Sequence, residues 1–396
     1  MHTHTHTPQI HFHNPKPYKP NLSALKIQPN TNIHNMRIPT IRRFTTPSLT
    51  SHHPKSYVSD CRAVLVPHFG GPHVLQLHSH VPLPPLRPHE VLVRARAVAI
   101  NPLDTRMRAG YGRCLFERLL PLILGRDVSG EVAAVGAAVK SLSVGEQVFG
   151  ALHPTAVRGT YTDYAILSEE EVISKPDSLD HVEASAIPFA ALTAWRALKS
   201  TARISEGQRI LVVGGGGAVG FAAIQLAVAA GCSVVTTCGS QSVSRLLAVG
   251  AEQAVDYVAE DVELAIKGTF DAVLDTIGVP ETERMGINFL KRGGHYMTLQ
   301  GEAASLSDRY GLLFGIPAST AVLLRKQLLY KISHGIEYSW TYMRADKEGL
   351  IEIRKLCEAG KMKIPVCKTF PIRQVRDAHE VKERKIVPGK VVLELD

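Results

Sequence analysis

The run Ile210-Leu-Val-Val-Gly-Gly-Gly-Gly-Ala-Val-Gly220 constrains this chain more than any other stretch, because four glycines in a row end one apolar segment and open another. It reads as a short buried strand that breaks into a tight turn and then a helix. The spacing Gly215-x-Gly217-x-x-Gly220 matches G-x-G-x-x-G. Gly215 is expected to permit the turn, Gly217 to let the backbone approach a pyrophosphate, and Gly220 to let the helix close on the strand. Ala218 and Val219 begin that helix, whose first N–H groups suit a phosphate. Glycine-rich turns also occur in ordinary loops, so the surrounding pattern has to decide.

That pattern is an alternation of apolar strands and helices. Strands are predicted at Arg209–Val213, Ser233–Cys238, 253–257, Phe270–Asp275 and 295–299, with helices at 218–230, 243–249, 261–267 and 281–290. Alternation of this kind implies crossover connections and a parallel sheet. The reading is α/β, a doubly wound nucleotide-binding domain.

Cofactor preference is argued from a missing charge. An NAD site places an Asp or Glu about 20 residues beyond the glycines, on the ribose hydroxyls. No acidic residue occurs between Gly207 and Ala251. The stretch Gly239-Ser-Gln-Ser-Val-Ser-Arg245 offers hydroxyls, an amide and a guanidinium, which suit a 2′-phosphate. The expected cofactor is NADPH, with Ser240 and Arg245 near that phosphate. The plainer reading of Arg245 is a solvated arginine on the next helix.

Residues 1–58 differ from the rest in composition. Up to Ser59 the chain has seven Lys/Arg, eight His and no Asp or Glu, the first acid being Asp60. An acid-poor, basic, hydroxyl-rich segment without an apolar core reads as an organellar transit peptide, and Arg42-Arg43-Phe44 resembles a matrix-protease cleavage context. A disordered cytosolic tail has similar composition. The segment supplies seven of the nine excess positive charges, so the basic balance of the whole chain says nothing about the body. No basic stripe interleaved with aromatics remains, and a nucleic-acid partner is not expected. No uninterrupted apolar run approaches the roughly 20 residues needed to span a bilayer, so no transmembrane segment is expected. The six cysteines form no C-x-x-C pair or His-Cys cluster, which argues against a metal site or a disulfide framework.

The remaining body is long enough for two domains. Before the glycine loop the texture is β-rich, as in the strand Glu90–Ile100 and in Gly130-Glu-Val-Ala-Ala-Val-Gly136, and it returns after residue 361 in Lys368-Thr-Phe-Pro-Ile-Arg, the helix Val375–Arg384 and Gly389-Lys390-Val-Val-Leu-Glu-Leu395. The expected division is a barrel-like domain from 59–189 and 362–396 and a nucleotide domain at 190–361, with the active cleft between them.

Asn101-Pro-Leu-Asp104, Leu124-Gly-Arg-Asp-Val-Ser-Gly-Glu-Val132, Ser143-Val-Gly-Glu-Gln-Val-Phe-Gly150, Gly159-Thr-Tyr-Thr-Asp-Tyr164 and Ala191-Leu-Thr-Ala-Trp195 precede the glycine loop in an order that resembles the medium-chain dehydrogenase/reductase superfamily, over about residues 61–396. More narrowly, the chain is similar to its zinc-independent quinone oxidoreductase branch. The resemblance implies a GroES-like catalytic domain beside a Rossmann domain, a homodimer, a mitochondrial matrix location with the chloroplast as alternative, and a link to ubiquinone metabolism. Where zinc-containing relatives carry a catalytic Cys this chain has Asn101, and where they carry Gly-His-Glu it has Gly125-Arg126-Asp127. Without a Lewis acid, alcohol oxidation loses its main electrostatic help, whereas hydride addition to a quinone or an α,β-unsaturated carbonyl spreads its charge through conjugation.

The resemblance also implies roles. Asn101 and Tyr111 are expected to face the nicotinamide and the acceptor, with the phenol donating to the developing oxyanion. Asp104 is expected to fix the loop, with proton transfer as the alternative. Thr193 is expected against the cofactor or capping its own helix, Arg126 in an ion pair across the cleft or with Asp127, and Tyr161 and Lys390 near the cofactor or at the surface. Residues 305–342 are too apolar for a free loop, and core packing, a dimer edge and a lid over a hydrophobic quinone tail all fit. Two other functions stay open: a weakly catalytic nucleotide-binding assembly partner, and a plastid reductase that detoxifies enones or aldehydes.

Overall fold

The computed structural model describes residues 58–384 and 388–396. All but the last residue of the expected leader lies outside that range. Eight strands come before the glycine loop: β1 (Asp60–Val66), β2 (Gln76–Pro82), β3 (Glu90–Ile100), β4 (Leu122–Ile123), β5 (Asp127–Val135), β6 (Gln147–Ala151), β7 (Tyr164–Ser168) and β8 (Val172–Ser174). A ninth, β9 (Arg209–Val213), runs into the loop, and five follow it: β10 (Ser233–Cys238), β11 (Gln253–Asp256), β12 (Phe270–Asp275), β13 (Leu290–Thr298) and β14 (Glu337–Trp340). The chain closes with β15 (Val366–Pro371) and β16 (Lys390–Glu394).

β9 to β14 form one parallel sheet in the order β11-β10-β9-β12-β13-β14, which is the doubly wound arrangement. The central strands β9, β10 and β12 are buried on both faces, as the interior of a parallel sheet requires, while the edge strand β14 exposes Glu337. Along β9, Ile210 and Val212 point into a core with the helix Ala218–Ala229, while Leu211 and Val213 point into a second core with Tyr296 and Tyr338. The alternation is the period-two pleat of a strand.

The other lobe holds a mainly antiparallel sheet in the order β15-β16-β3-β5-β6-β8, with β7 also on β3, and a small sheet β2-β1-β4. β16 pairs with β3 from Val391 against Ile100 onward, so the chain does leave this lobe and return to it. The returning helix Val375–Arg384 is tied in by a buried polar chain. Arg108 Nη1 lies 3.0 Å from His379 Nδ1, His379 Nε2 lies 3.2 Å from the Tyr161 hydroxyl, and Arg108 also pairs with Glu383.

Two expectations need correction. β14 and the helix Ala303–Ser333 occupy the stretch that had no secondary-structure reading. That helix is two segments joined at Gly311, whose φ of 73° and ψ of 167° are not helical, and Pro317 lies inside the second. These breaks, with polar residues between the leucines, hid its length. By length and composition alone this described helix is apolar enough to cross a membrane, with Arg325, Lys326 and Lys331 interrupting its apolar residues. Helix 261–267 shrinks to Val262–Ala265, because the Asp261 side chain accepts from the N–H groups of Glu263 and Leu264 and so caps a helix that begins after it. The six cysteines are free, four buried and two half-buried.

His379 gives the fold a pH dependence. Burial, reinforced by the Arg108 charge, pushes its imidazole down from 6.5 to about 3. The folded state therefore holds it neutral where the unfolded chain binds a proton. Its stabilising contribution is complete above pH 6.5 and is lost as pH falls toward 3. By pH 5 the loss is about 2 kcal/mol. Melting temperatures between pH 7.5 and 5 should fall more steeply for the natural chain than for His379→Gln, and equal slopes would exclude His379 as the source.

Candidate active site

The site is built where the carboxyl ends of β9, β12 and β13 meet the loop after β3. Positive φ falls on Gly214, at 85°, and not on Gly215. Gly214 makes the turn, backed by Thr276, whose hydroxyl donates to the Val213 and Gly214 carbonyls. Gly215 serves close packing, since a Cβ there would sit 2.2 Å from the Thr236 hydroxyl oxygen. At Gly220 a Cβ would lie 2.4 Å from the Gly214 carbonyl oxygen, which is the expected closure of helix on turn. Gly217 is exposed and starts the helix Ala218–Ala229 with no side-chain cap, and Ala218 and Val219 are half-buried beside it. Its first N–H groups are free of side-chain acceptors, so the helix start can take an anion.

Arg245 is neither solvated nor idle. Its Nη2 donates to the Gly216 carbonyl at 2.8 Å and to Ser242 Oγ at 3.0 Å, Nη1 donates to the Pro388 carbonyl, and the guanidinium lies over Phe221. Nε is buried without a partner. A buried donor with no acceptor is costly to leave unmet, and this one lies on an arginine bound to the glycine turn. Ser240, exposed at the end of β10, hydrogen-bonds Asp256, whose carboxyl is held below its usual range mainly by that bond. Asp256 was missed in the sequence because it belongs to β11 and not to β10, yet the parallel register sets it against Cys238.

Asn101 follows β3 and caps the helix Pro102–Arg108. The Asp104 carboxylate accepts from the Asn101 N–H at 2.7 Å and from the Gly125 N–H at 3.2 Å. Burial keeps its carboxyl above the usual range, and the nearby Arg126 charge opposes that shift. The Asn101 side chain is wholly engaged. Its Nδ2 donates to Asp127 Oδ2 at 2.8 Å, and its Oδ1 accepts from Lys390 Nζ at 2.6 Å. Lys390 Nζ also meets Asp127 Oδ2 at 2.7 Å, and Asp127 Oδ1 accepts from the Phe189 N–H at 2.7 Å. All three side chains are buried, Lys390 to 1% exposure. The structure thus brings Asn101, Asp104 and Lys390 together inside the lobe, with Lys390 neither at the surface nor on the glycine loop.

This cage bears on the metal question. At the position where zinc-containing relatives carry a Cys ligand, the cation is a lysine ammonium held by an amide and a carboxylate. An ammonium has three donors and no lone pair, so these residues do not fit a zinc ion. Arg126 forms neither expected ion pair within the described residues. It is buried and donates to the carbonyls of Gly125, Pro154 and Ala156, and burial lowers its pKa. Tyr161 is buried against His379, and burial holds its phenol well above the usual value. Thr193 lies in the middle of the helix Pro188–Trp195 and not at its start, with its hydroxyl bonded back to the Phe189 carbonyl at 2.6 Å.

Tyr111 stands apart from the cage. It is half-buried, its N–H donates to the Arg106 carbonyl, and the Arg106 guanidinium lies 4.2 Å from its ring centre. Arg106 Nη1 reaches Gln300 Oε1, just past β13, at 3.1 Å. Beyond Tyr111, the N–H groups of Gly112 and Cys114 both donate to Asp308, at 2.8 and 2.9 Å. Arg106, Gln300 and Asp308 escaped the sequence reading, since no motif marks a pair of residues some 190 positions apart.

Residues 87–177 match the alcohol dehydrogenase GroES-like domain, and residues 249–393 match a family described as zinc-binding dehydrogenase. The chain is 34% identical over 381 residues to the zebrafish (Danio rerio) protein "NAD(P)H oxidoreductase RTN4IP1, mitochondrial", covering 89% of this chain and 97% of that one. It is 29% identical to an Arabidopsis thaliana "NADPH-dependent alkenal/one oxidoreductase, chloroplastic", covering 85% and 80%. The quinone oxidoreductase structure from Coxiella burnetii superposes with a TM-score of 0.73 at 29% identity, over 85% of this chain and all of that one. With its GroES-like and Rossmann lobes, the chain belongs to the medium-chain dehydrogenase/reductase superfamily, in the family of the mitochondrial NAD(P)H oxidoreductases, and is an oxidoreductase that uses a nicotinamide cofactor.

Proposed function

We propose that this chain is a mitochondrial, zinc-independent reductase that uses NADPH to reduce a quinone or an α,β-unsaturated carbonyl, with residues 190–361 holding the cofactor and residues 59–189 and 362–396 holding the acceptor. The observation that carries the reading is the stack of Arg106 on Tyr111, joined to Gln300 from the opposite lobe. A half-buried phenol with a guanidinium on its face is suited to a conjugated oxyanion, because donor and positive potential converge where charge develops. The names of the quinone and alkenal/one reducing relatives agree with this class of acceptor, and the mitochondrial relatives with the location.

A nicotinamide dinucleotide bound at the glycine turn supplies the hydride. Gly217, where a Cβ would meet nothing closer than 3.6 Å, leaves the backbone open to the pyrophosphate, Gly215 and Gly220 pack the turn beneath it, and the N–H groups from Ala218 onward face its charge. Arg245 Nε and the Ser240 hydroxyl are the groups offered to a 2′-phosphate. Asp104 and the Asn101–Asp127–Lys390 cage act on the reaction by holding the Asn101–Tyr111 segment in place, and Tyr111 donates to the acceptor oxygen.

Two substitutions test the parts separately. Arg245→Ala should weaken NADPH by about tenfold and leave NADH nearly unchanged, since a charge-assisted hydrogen bond contributes about 1.5 kcal/mol. Fluorescence titration of both nucleotides checks this, and an equal loss for both would remove Arg245 from any role in selectivity. Tyr111→Phe should leave NADPH affinity intact and lower kcat with a quinone or enone by about 100-fold, the ordinary weight of one positioned proton donor. Unchanged turnover would move the donor elsewhere, and nucleotide binding without turnover in the natural chain would favour the assembly-partner reading.

A further inference from the structure

Residues 312–333 form a helix roughly 33 Å long at 1.5 Å per residue. One side of it is fixed to the body. Gly315 and Ser319 are buried, Lys326 pairs with Glu283 at 2.8 Å, Gln327 donates to the Tyr338 carbonyl, and the Tyr330 hydroxyl donates to Glu283. The opposite side is apolar and open. Leu313, Leu324, Leu328 and Ile332 are 79%, 58%, 63% and 75% exposed, and their spacing places them along one ridge with Pro317 and Ala321 between. Soluble monomers rarely leave so long an apolar strip uncovered.

We propose that this ridge seats the enzyme on the surface of a bilayer rich in anionic phospholipid, with the helix lying in the plane of the interface. Charge identifies the occupant. Between Arg309 and Gly335 the chain has Arg309, Arg325, Lys326 and Lys331 and no Asp or Glu. Arg309 and Arg325 are exposed, which is the mixed apolar and cationic character of interfacial helices. Crossing the bilayer is a different matter, since it would strip Lys326 and Gln327 from their partners and put both in hydrocarbon. A second copy of the chain fits less well. A two-fold contact sets a surface against itself, and this helix has no acid to answer its own cations.

The position of the helix gives the docking a use. The helical segment before Gly311 carries Asp308, which holds the Gly112 and Cys114 N–H groups and hence the loop of Tyr111. An apolar quinone dissolved in lipid would thus arrive beside the proposed donor. That last step rests on the proposed function, whereas docking does not.

Co-sedimentation of the full chain with vesicles tests the proposal. The natural protein should sediment with phosphatidylcholine vesicles containing phosphatidylglycerol, and far less with phosphatidylcholine alone. Leu324→Ser/Leu328→Ser/Ile332→Ser should lower that partitioning by about tenfold or more through lost apolar burial. Arg325→Glu, which keeps the ridge, should lower it by about tenfold through charge alone. Both variants should reduce a water-soluble benzoquinone at the natural rate. Loss of that activity in every form, with vesicle binding intact, would count against the proposed function and leave the docking standing. Sedimentation of the triple variant equal to that of the natural chain overturns the proposal and assigns the binding to another surface, such as the basic N-terminal segment common to all forms. A triple variant that leaves sedimentation unchanged but elutes from gel filtration at half the mass assigns the ridge to a second copy.

Discussion

One buried carboxylate organises the catalytic lobe. Asp127 draws together the end of β3 through Asn101, the start of β16 through Lys390, and the helix Pro188–Trp195 through the Phe189 N–H. These segments lie 26, 263 and 62 positions away along the chain. A carboxylate and an ammonium with almost no solvent are tolerable only when every polar atom around them is answered. Here each Asp127 oxygen has a donor, and the Asn101 amide closes the ring. The internal ion pair and its amide fix the loop after β3. The half-buried Tyr111 with its stacked guanidinium, the donor proposed above, lies outside the cage.

The cofactor lobe follows a different logic, in which vacancy is the feature. Gly215 and Gly220 exist because any Cβ would collide with the Thr236 hydroxyl or the Gly214 carbonyl. The helix that follows has no side chain on its first N–H groups, and the arginine beside it keeps one N–H unpartnered. Positive potential is thereby held in place before any anion arrives, so little reorganisation accompanies binding. Asp256, bonded by Ser240, adds one negative charge at the rim, and under the NADPH reading proposed above the choice between phosphorylated and plain ribose is a balance between Arg245 and that carboxylate.

Much of this was legible from residues alone, and the gaps have physical reasons. β9, β10 and β12 read clearly because their apolar residues form short runs bounded by glycines, whereas β13 starts at Leu290, ahead of the expected 295, since Lys291, Arg292 and two glycines hid its first half. β14 went unread, being four residues long and preceded by a helix whose periodicity is broken at Gly311 and Pro317. The glycine loop was recognised, but the turn was assigned to Gly215 when Gly214 carries the positive φ, since neighbouring glycines are interchangeable on paper. Arg126 shows the deeper limit. Its charge suggested a carboxylate partner, yet it is satisfied by backbone carbonyls, which are present at every position and so leave no mark in a sequence. Lys390 was singled out by likeness, while its actual partners lie hundreds of positions away.

Asp308 ties the helical segment before Gly311 to the Tyr111 loop, because its carboxylate accepts from two backbone N–H groups, Gly112 and Cys114, at the start of the short helix Arg113–Phe116. Coupling of this kind is reciprocal in free energy. On the two proposals above, whatever the helix rests against changes how readily the loop accepts a ligand, and a ligand at the loop changes by the same factor how firmly the helix is held.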